Sequence, residues 1–267
     1  LERELRIRLG GVRFVLTERA GHATELARDA VKGGATTILS MGGDGTHNEV
    51  INGIMTARPE PGAITLGLLP AGTGGDFRRM CTHSADALTA AAALPTAQGR
   101  LIDVGSLVFR ADSGAEMERY FINIASFGIG GLVDRYANNS RKRLGGKATF
   151  YIATLKALAA YEAATVELIL DGSSVGTHTI TNILICNGRF AGGGMMFAPD
   201  AQLSDGLFDV VIMRHRSALN TISMSGAIYK GRHVDSPLVE VHRAASIVAK
   251  TTTDAAAYLD IDGEAPG

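Results

Sequence analysis

The feature that most constrains the fold is a strand that runs through a glycine-rich turn directly into a helix. Residues 35–41, "ATTILSM", are rich in β-branched side chains and predict a strand. After the turn "GGDG", four apolar residues recur at helical spacing: Val50, Ile51, Ile54 and Met55. A strand joined to a helix in this way is typical of sheets that are covered by helices.

The same alternation of strand and helix extends over the first hundred residues. The segments "VRFVLT" at 12–17 and "ITLGLLP" at 64–70 predict two further strands. One helix is predicted around "SADALTAAAAL", and another over "HATELARDAVKGG" with one apolar face: Ala23, Leu26, Ala27, Ala30 and Val31. This order predicts a parallel, doubly wound sheet, which binds ligands at the carboxyl ends of its strands.

From about residue 100 the pattern changes to strand-like segments with few helices between them. Asp171-Gly172 is a hairpin signal between two of these segments. Two helices are predicted, roughly at 148–160 and 217–229. We therefore predict two domains, an α/β nucleotide-binding domain over 1–98 and a mostly antiparallel, β-sandwich-like substrate domain over 99–267.

Charge and composition exclude several classes of protein. Lys and Arg total 26 against 27 acidic residues, so no overall positive field favours a nucleic acid partner. The sequence contains no run of about 18 apolar residues, so we expect a cytoplasmic protein whose membrane contact is transient and peripheral. Cys81 and Cys186 lack metal-ligand spacing and fit inert thiols in a reducing compartment.

The turn after the second predicted strand has the properties of a phosphate cradle. Gly42, Gly43 and Gly45 allow close backbone approach, and the N-terminus of the following helix favours an anion. The Thr46 hydroxyl can cap the helix or donate to a phosphoryl oxygen. Asp44 would repel a phosphate unless a cation such as Mg²⁺ lies between them. From these residues alone, a plain strand-to-helix connection capped by Asp44 is an equally good interpretation.

A second turn, "PAGTGGDF", repeats this pattern after the next strand with Gly72, Thr73, Gly74 and Asp76. Two such turns at neighbouring strand ends favour the phosphate site over the plain connection. Two acidic turns later in the chain are ambiguous by themselves. Both "LSDGLF" around Asp205 and "DIDGE" around Asp262 have the composition of simple hairpin turns.

Four blocks in this order resemble the catalytic domain of the diacylglycerol kinases, especially the bacterial soluble lipid kinases. The blocks are "GGDGTHNEVINGI", "GLLPAGTGGDFRR", "CNGRFAGGGMMFAPDAQLSDGLFDVVIM" and "DIDGE". The wider group includes the NAD kinases and sphingosine kinases. The resemblance implies Mg²⁺-dependent transfer of a phosphoryl group from ATP to a lipid hydroxyl, with nucleotide and lipid meeting in a cleft between the domains.

The resemblance also implies roles for individual residues. Asp262 and Glu264 would be the catalytic carboxylates, with Asp262 the first choice as base. A structural Mg²⁺ would be bound by the Asp205 carboxylate and the carbonyls of Gln202 and Leu207, and Asp44 would serve the nucleotide's metal. The nucleotide contacts would be Thr17, Gly42, Gly43, Asp44, Gly45, Thr46, His47, Asn48, Glu49, Gly72 and Thr73.

The sequence departs from the family pattern at three places. Gly75 stands where the second turn usually has an asparagine, so a side-chain amide is missing there. Members of the family begin with a strand that carries an Asn-Pro pair, and they continue past the "DGE" block with further strands. We therefore expect these residues, 1–267, to be a piece of a longer protein.

Other functions are open at this stage. An NAD kinase shares "GGDGT", but the expected Asn-x-Gly-x-x-Gly-Phe block is absent from the second turn. A non-catalytic nucleotide- or lipid-binding module would need neither Asp44 nor the "DGE" acids. A Rossmann oxidoreductase does not fit, because "TERAGHATE" lacks G-x-G-x-x-G.

The sequence leaves the partners less defined. The basic residues Arg141, Lys142, Arg143 and Lys147 fit a solvated loop better than a site for lipid headgroups. Neither the substrate lipid nor the oligomeric state follows from the sequence, and a homodimer is an open alternative.

Overall fold

A computed structural model describes residues 1–71, 75–81, 84, 86–111, 113–138, 146–217, 224–253 and 255–266. The chain divides into two compact units. Unit 1 contains Leu1–Leu107 and Arg119–Ile122, and unit 2 contains Val108–Glu118 and Asn123–Gly267.

Unit 1 is an α/β unit around a parallel pair of strands. β1 and β2 pair in register from Thr37 opposite Thr65 to Gly42 opposite Pro70, which confirms both predicted strands and their parallel direction. The elements of this unit are α1 (Glu2–Leu9), α2 (His22–Lys32), β1 (Thr37–Gly42), α3 (Asp44–Thr56), β2 (Thr65–Pro70), α4 (Asp76–Met80), α5 (Ala87–Ala93) and a 3₁₀ turn (Leu94–Thr96).

The predicted strand at 12–17 is wrong. Residues 12–18 have no regular secondary structure, and Leu16 is 86% exposed. A strand requires hydrogen-bonding partners on a neighbouring strand, and this segment pairs with none in the described part of the chain. Its apolar residue Phe14 instead packs against a small core formed by α1, β2 and α5, which contains Leu5, Leu69, Ala90 and Ala91.

Close packing of α2 against α3 fixes the helix that follows the first turn. A Cβ atom at Gly53 would lie 2.3 Å from the Thr24 carbonyl oxygen and 2.8 Å from the Ala27 Cβ. The absence of a side chain at Gly53 therefore allows the two helices to approach closely.

Unit 2 is dominated by an antiparallel sheet, as predicted. The strand order is β11-β10-β7-β5-β13, and β6 pairs with both β7 and β12. β8 and β9 form a separate two-stranded sheet, and so do β3 and β4, each of which has residues in both units. The strands are β3 (Gly105–Arg110), β4 (Glu116–Phe121), β5 (Ile124–Gly128), β6 (Thr165–Leu170), β7 (Ser173–Cys186), β8 (Phe190–Ala191), β9 (Met195–Met196), β10 (Phe208–Arg214), β11 (Val239–Ala244), β12 (Ile247–Thr251) and β13 (Leu259–Ile261).

The helices of unit 2 agree in part with the sequence. α7 (Gly146–Ala160) corresponds to the predicted helix at 148–160, and residues 224–228 of the second predicted helix are helical. Residues 218–223 lie outside the described part. A 3₁₀ turn covers Arg232–Asp235. α6 (Ile129–Asn138) was not predicted, because its first turn contains two glycines, which disfavour helix.

The predicted hairpin and the buried centre of the sheet are confirmed. Asp171 and Gly172 have φ values of 47° and 79°, as a two-residue hairpin turn requires. The central strands carry a fully buried cluster that includes Leu184, Cys186 and Val211. Burial raises the pKa of the Cys186 thiol well above its ordinary value, which agrees with an inert cysteine. Among the described residues, no helix has the length and apolar character needed to cross a membrane.

Candidate active site

The first glycine-rich turn is compact because Thr46 closes over Gly42. A Cβ atom at Gly42 would lie 2.5 Å from both Cβ and Oγ1 of Thr46. Gly43 continues in an extended conformation, and α3 begins at Asp44. The first N–H groups of a helix have no partner within that helix, so the start of α3 offers donors suited to an anion.

The Asp44 carboxylate holds the start of α4. Its Oδ2 accepts hydrogen bonds from the Gly75 N–H at 2.8 Å and the Asp76 N–H at 3.1 Å. Its Oδ1 accepts a longer bond from the Phe77 N–H at 3.4 Å. Asp44 therefore acts as a helix cap across the turn, a role in which a side-chain oxygen satisfies N–H groups that have no helical partner.

Glu49 plays the same part for another helix. Its Oε1 accepts from the Gly21 N–H at 2.9 Å, and its Oε2 accepts from the Ala23 N–H at 3.1 Å. The Thr24 hydroxyl in turn donates to the Glu49 carbonyl oxygen at 2.9 Å. Two acids of α3 thus cap the starts of two different helices.

Three further polar side chains of α3, those of His47, Asn48 and Asn52, are buried and form hydrogen bonds. His47 Nδ1 lies 2.7 Å from the Ser40 hydroxyl, and burial lowers the pKa of His47 although the Asp44 charge opposes this shift. The side-chain amides of Asn48 and Asn52 donate to the Tyr120 carbonyl oxygen at 3.0 and 2.9 Å. The Tyr120 N–H donates back to Asn52 Oδ1 at 2.9 Å.

Most of the predicted nucleotide residues therefore form one continuous piece of structure. Residues 42–49 comprise the end of β1, the turn and the start of α3. Thr17 is exposed within the irregular segment 12–18. Gly72 and Thr73 lie outside the described residues. Nucleotide binding by these residues remains a prediction.

The "DGE" turn of unit 2 is strained and held by hydrogen bonds. Asp262 is 7% exposed and has φ 51°, which is uncommon for a residue with a side chain. Its Oδ1 accepts bonds from the N–H groups of Asn123 and Ile124, both at 3.0 Å. The backbones of Ile261 and Glu264 form an isolated antiparallel β-bridge across the turn. The two predicted catalytic acids therefore lie on one tight turn after β13.

Two further acids lie beside this turn, and the sequence analysis missed both. Asp260 Oδ1 accepts from the Gly263 N–H at 2.7 Å, and its Oδ2 lies 3.4 Å from the Ser126 hydroxyl. Burial raises the pKa of Asp260 well above its ordinary value, and the charge of Asp134 adds to this shift. Burial raises the pKa of Asp134 to about 6, against a lowering by its hydrogen bond with Asp260. The pair therefore holds a proton under mildly acidic conditions.

In the loop predicted to bind a structural metal, the negative charge of Asp205 is paired with the guanidinium of Arg243. Asp205 Oδ1 accepts from the Leu207 N–H at 3.1 Å, and the Arg243 guanidinium donates to its Oδ2. Arg243 Nε also lies 3.8 Å from Asp209 Oδ1, because these two residues face each other in the β10–β11 register. A cation near Asp205 would meet the positive charge of this guanidinium.

The described residues do not fit a resident divalent cation in this arrangement. Among them, no group of three or more His, Cys, Asp or Glu side chains is placed to hold a metal. The carboxylates of Asp44 and Asp205 both accept hydrogen bonds from N–H donors. Metal binding by Asp44, Gln202, Asp205 and Leu207 stays a prediction, and no chemical step is derived through a metal.

Comparison with known proteins identifies the family. Residues 1–107 match the family model of the diacylglycerol kinase catalytic domain. Residues 123–267 match the model of the YegS C-terminal NAD kinase beta sandwich-like domain. The chain belongs to the diacylglycerol kinase family. It is a lipid kinase, and its antiparallel unit is the β-sandwich-like domain expected from the sequence.

Individual relatives agree with this assignment. This lipid kinase is 30% identical over 252 residues to a diacylglycerol kinase of Bacillus subtilis (strain 168), covering 94% of this chain and 78% of the relative. It is 31% identical over 254 residues to a diacylglycerol kinase of Staphylococcus saprophyticus, covering 94% and 77%.

A solved structure shows the same fold. A candidate diacylglycerol kinase from Bacillus anthracis str. Sterne superposes with a TM-score of 0.74 and 23% identity, covering 98% of this chain and 81% of that chain. At this identity the likeness concerns the fold alone.

Proposed function

We propose that this lipid kinase transfers the γ-phosphoryl group of ATP to the free hydroxyl of a lipid such as diacylglycerol. The proposal rests on two family matches: residues 1–107 match the diacylglycerol kinase catalytic domain, and residues 123–267 match the YegS C-terminal NAD kinase beta sandwich-like domain. Each of these regions contains one acid-bearing turn. The first turn lies at the start of α3, and the second lies after β13.

The nucleotide is assigned to unit 1. The N–H groups at the start of α3 are aligned with a helix dipole that favours negative charge. The Gly42–Thr46 contact leaves no room for a larger side chain at position 42, so glycine there allows the start of α3 to follow β1 closely. Bound to the ATP phosphates, Mg²⁺ would neutralise part of their negative charge.

The catalytic acid is assigned to Asp262 in unit 2. In the reaction the lipid oxygen forms a bond to the γ-phosphorus, the bond from that phosphorus to the β,γ-bridging oxygen breaks, and ADP leaves. The hydroxyl proton passes to the Asp262 carboxylate, which two N–H donors hold in a fixed orientation. Glu264, on the same turn, is the alternative base.

The proposal requires the nucleotide of unit 1 and the acid of unit 2 to meet in a cleft between the domains, as the family resemblance implies. A lipid substrate further requires transient contact with a membrane surface. The basic residues Arg141, Lys142 and Arg143 lie outside the described part of the chain.

A transfer assay on the full chain tests this function. The protein is incubated with γ-labelled ATP and vesicles that contain diacylglycerol, phosphatidylglycerol or a sphingoid base, and separately with NAD. We expect label in a lipid and none in NAD, and we expect the Asp262→Asn variant to lose the transfer. Label in NAD alone would support the NAD kinase alternative and overturn the proposal.

A further inference from the structure

We propose that Asp44 is a positioning residue, which fixes the start of α4 by holding the backbone of residues 75–77. This role differs from that of a metal ligand or a base. The inference rests on the proposed function, because it assigns a part in nucleotide binding to a side chain of the first turn.

The geometry at Asp44 is that of a brace between two segments. Three consecutive N–H groups, those of Gly75, Asp76 and Phe77, converge on one carboxylate at 2.8, 3.1 and 3.4 Å. The donors are 31 to 33 positions away in the sequence. One side chain at the start of α3 therefore sets where the chain leaves the second turn.

The start of α4 depends on an outside cap. α4 has only five residues, which is too short to be stable by itself. Its N-cap residue, Gly75, has no side chain and adopts φ 151°, where a side chain is strained. Phe77, which is 2% exposed, anchors the helix by burial, and Asp44 supplies the cap that Gly75 cannot.

Glu49 gives independent support for this use of acids in α3. Its carboxylate takes the N–H groups of Gly21 and Ala23 at the start of α2 in the same manner. Unit 1 therefore fixes two helix starts to α3 by the same kind of bond. The charged side chains that follow the glycine turn are oriented toward the protein's own backbone.

The proposal predicts different results for two substitutions of the same residue. Asn caps helices about as well as Asp, because its amide oxygen also accepts from N–H groups. Asp44→Asn should therefore keep most of the brace, whereas Asp44→Ala should remove it. A metal ligand or a base would be lost in both variants.

Hydrogen exchange on the nucleotide-free protein measures the brace directly. In Asp44→Ala we expect exchange at the Gly75 and Asp76 amides to rise about tenfold or more, and in Asp44→Asn to rise less than about threefold. Glu49→Ala is the matched control. It should raise exchange at Gly21 and Ala23 and leave residues 75–77 unchanged.

Steady-state kinetics then separate positioning from metal binding. We expect Asp44→Ala to raise KM for ATP about tenfold with a smaller change in kcat, and Asp44→Asn to stay within about threefold of the wild type. The Mg²⁺ concentration for half-maximal rate should be the same in all three proteins. If Asp44→Asn is as impaired as Asp44→Ala and needs more Mg²⁺, the proposal is wrong and Asp44 is a ligand.

A failure of the proposed function would look different. If the wild type labels no lipid, the lipid kinase proposal falls, and the role of Asp44 is then decided by hydrogen exchange and by ATP affinity from calorimetry. Unchanged exchange at residues 75–77 in Asp44→Ala would overturn the positioning role whatever the activity.

Discussion

The two acid-bearing turns hold backbone in the same way but differ in their surroundings. Asp44 accepts from Gly75 and Asp76, and Asp262 accepts from Asn123 and Ile124, so each carboxylate oxygen binds two consecutive N–H groups. The Asp44 turn is the regular start of a helix. The Asp262 turn has a left-handed aspartate.

The chemical difference between the turns comes from their neighbours. Asp260 and Asp134 lie beside the Asp262 turn, and burial raises the pKa of both. Asp44 has His47 as a titratable neighbour, and burial lowers the pKa of His47. The two turns have similar hydrogen bonds, but their neighbours differ. The Asp44 turn is suited to a structural role, whereas the Asp262 turn, which lies beside two further carboxyl groups, is suited to accepting a proton.

The largest expected effect is that of Asp262→Asn. The amide oxygen can still accept from the N–H groups of Asn123 and Ile124, but it cannot take the proton of the substrate. We expect kcat to fall by about 10³ or more, within the usual range for loss of a general base, while ATP affinity measured by calorimetry stays unchanged. Activity within tenfold of the wild type would remove Asp262 from the mechanism and point to Glu264.

Alanine at a glycine packed against each turn or its partner should perturb the two sites separately; Gly42 packs against Thr46, and Gly188 packs against Asn123, whose N–H binds Asp262. A Cβ atom at Gly188 would lie 2.1 Å from Asn123 Oδ1, and one at Gly42 would lie 2.5 Å from Thr46 Cβ. Each substitution should lower the free energy of unfolding by about 1–3 kcal/mol in urea titrations, because the neighbours must shift.

Kinetics should then distinguish the two variants. Gly42→Ala should mainly raise KM for ATP, and Gly188→Ala should mainly lower kcat. Gly226→Ala is the control, since nothing lies within 4 Å of its added Cβ and residues 224–228 are helical. The same kinetic change in both turn variants would contradict the division of roles.

The pH dependence of stability should report the acid pair. The folded-state pKa of Asp134 is raised from 3.8 to about 6 by burial, so the folded chain keeps a proton that the unfolded chain has lost. The free energy of unfolding should therefore fall as pH rises from about 4 to 6, by up to about 3 kcal/mol. Asp134→Asn should reduce this slope in urea titrations at several pH values, and the remaining slope is that of Asp260, whose pKa burial also raises.

Asp86 provides a comparison of opposite sign. Its hydrogen bonds with Thr89 lower its pKa, so its contribution is present above the unfolded pKa and is lost as pH falls. Asp86→Asn should leave the slope between pH 4 and 6 in place. A slope unaffected by Asp134→Asn would show that Asp260 alone carries the proton.

The smallest expected effect concerns Arg243 and the loop at Asp205. Arg243→Met should lower Tm by only a few degrees, since partly exposed ion pairs contribute about 0–1 kcal/mol. Without the guanidinium, Asp205 should become available to a cation, so Mg²⁺ should raise Tm more in the variant than in the wild type. A wild type that is itself clearly stabilised by Mg²⁺ would show that Arg243 does not occupy the metal's place.

The sequence predicted the parts of the fold whose signals are local. The β-branched run before "GGDG" and the periodic residues after it gave β1 and α3, and Asp171-Gly172 gave the hairpin. The predicted strand at 12–17 failed because pairing depends on a neighbouring strand, which its own residues do not encode.

The site was predictable only in outline for the same reason. The partners of Asp44 and Glu49 lie 31 and 28 positions away, so their capping roles could not be seen in the motif itself. Asp260 stands within "DIDGE" and could have been noted as a second acid of that turn. Asp134 gave no signal, because only the folding of α6 brings it to Asp260.

Hydrogen exchange with and without ATP tests most directly whether the two turns divide the work as proposed. We predict that ATP slows exchange at the amides of residues 43–46, both in the wild type and in Asp262→Asn. Protection confined to residues 258–264, with none at the start of α3, would contradict the assignment of the nucleotide to unit 1.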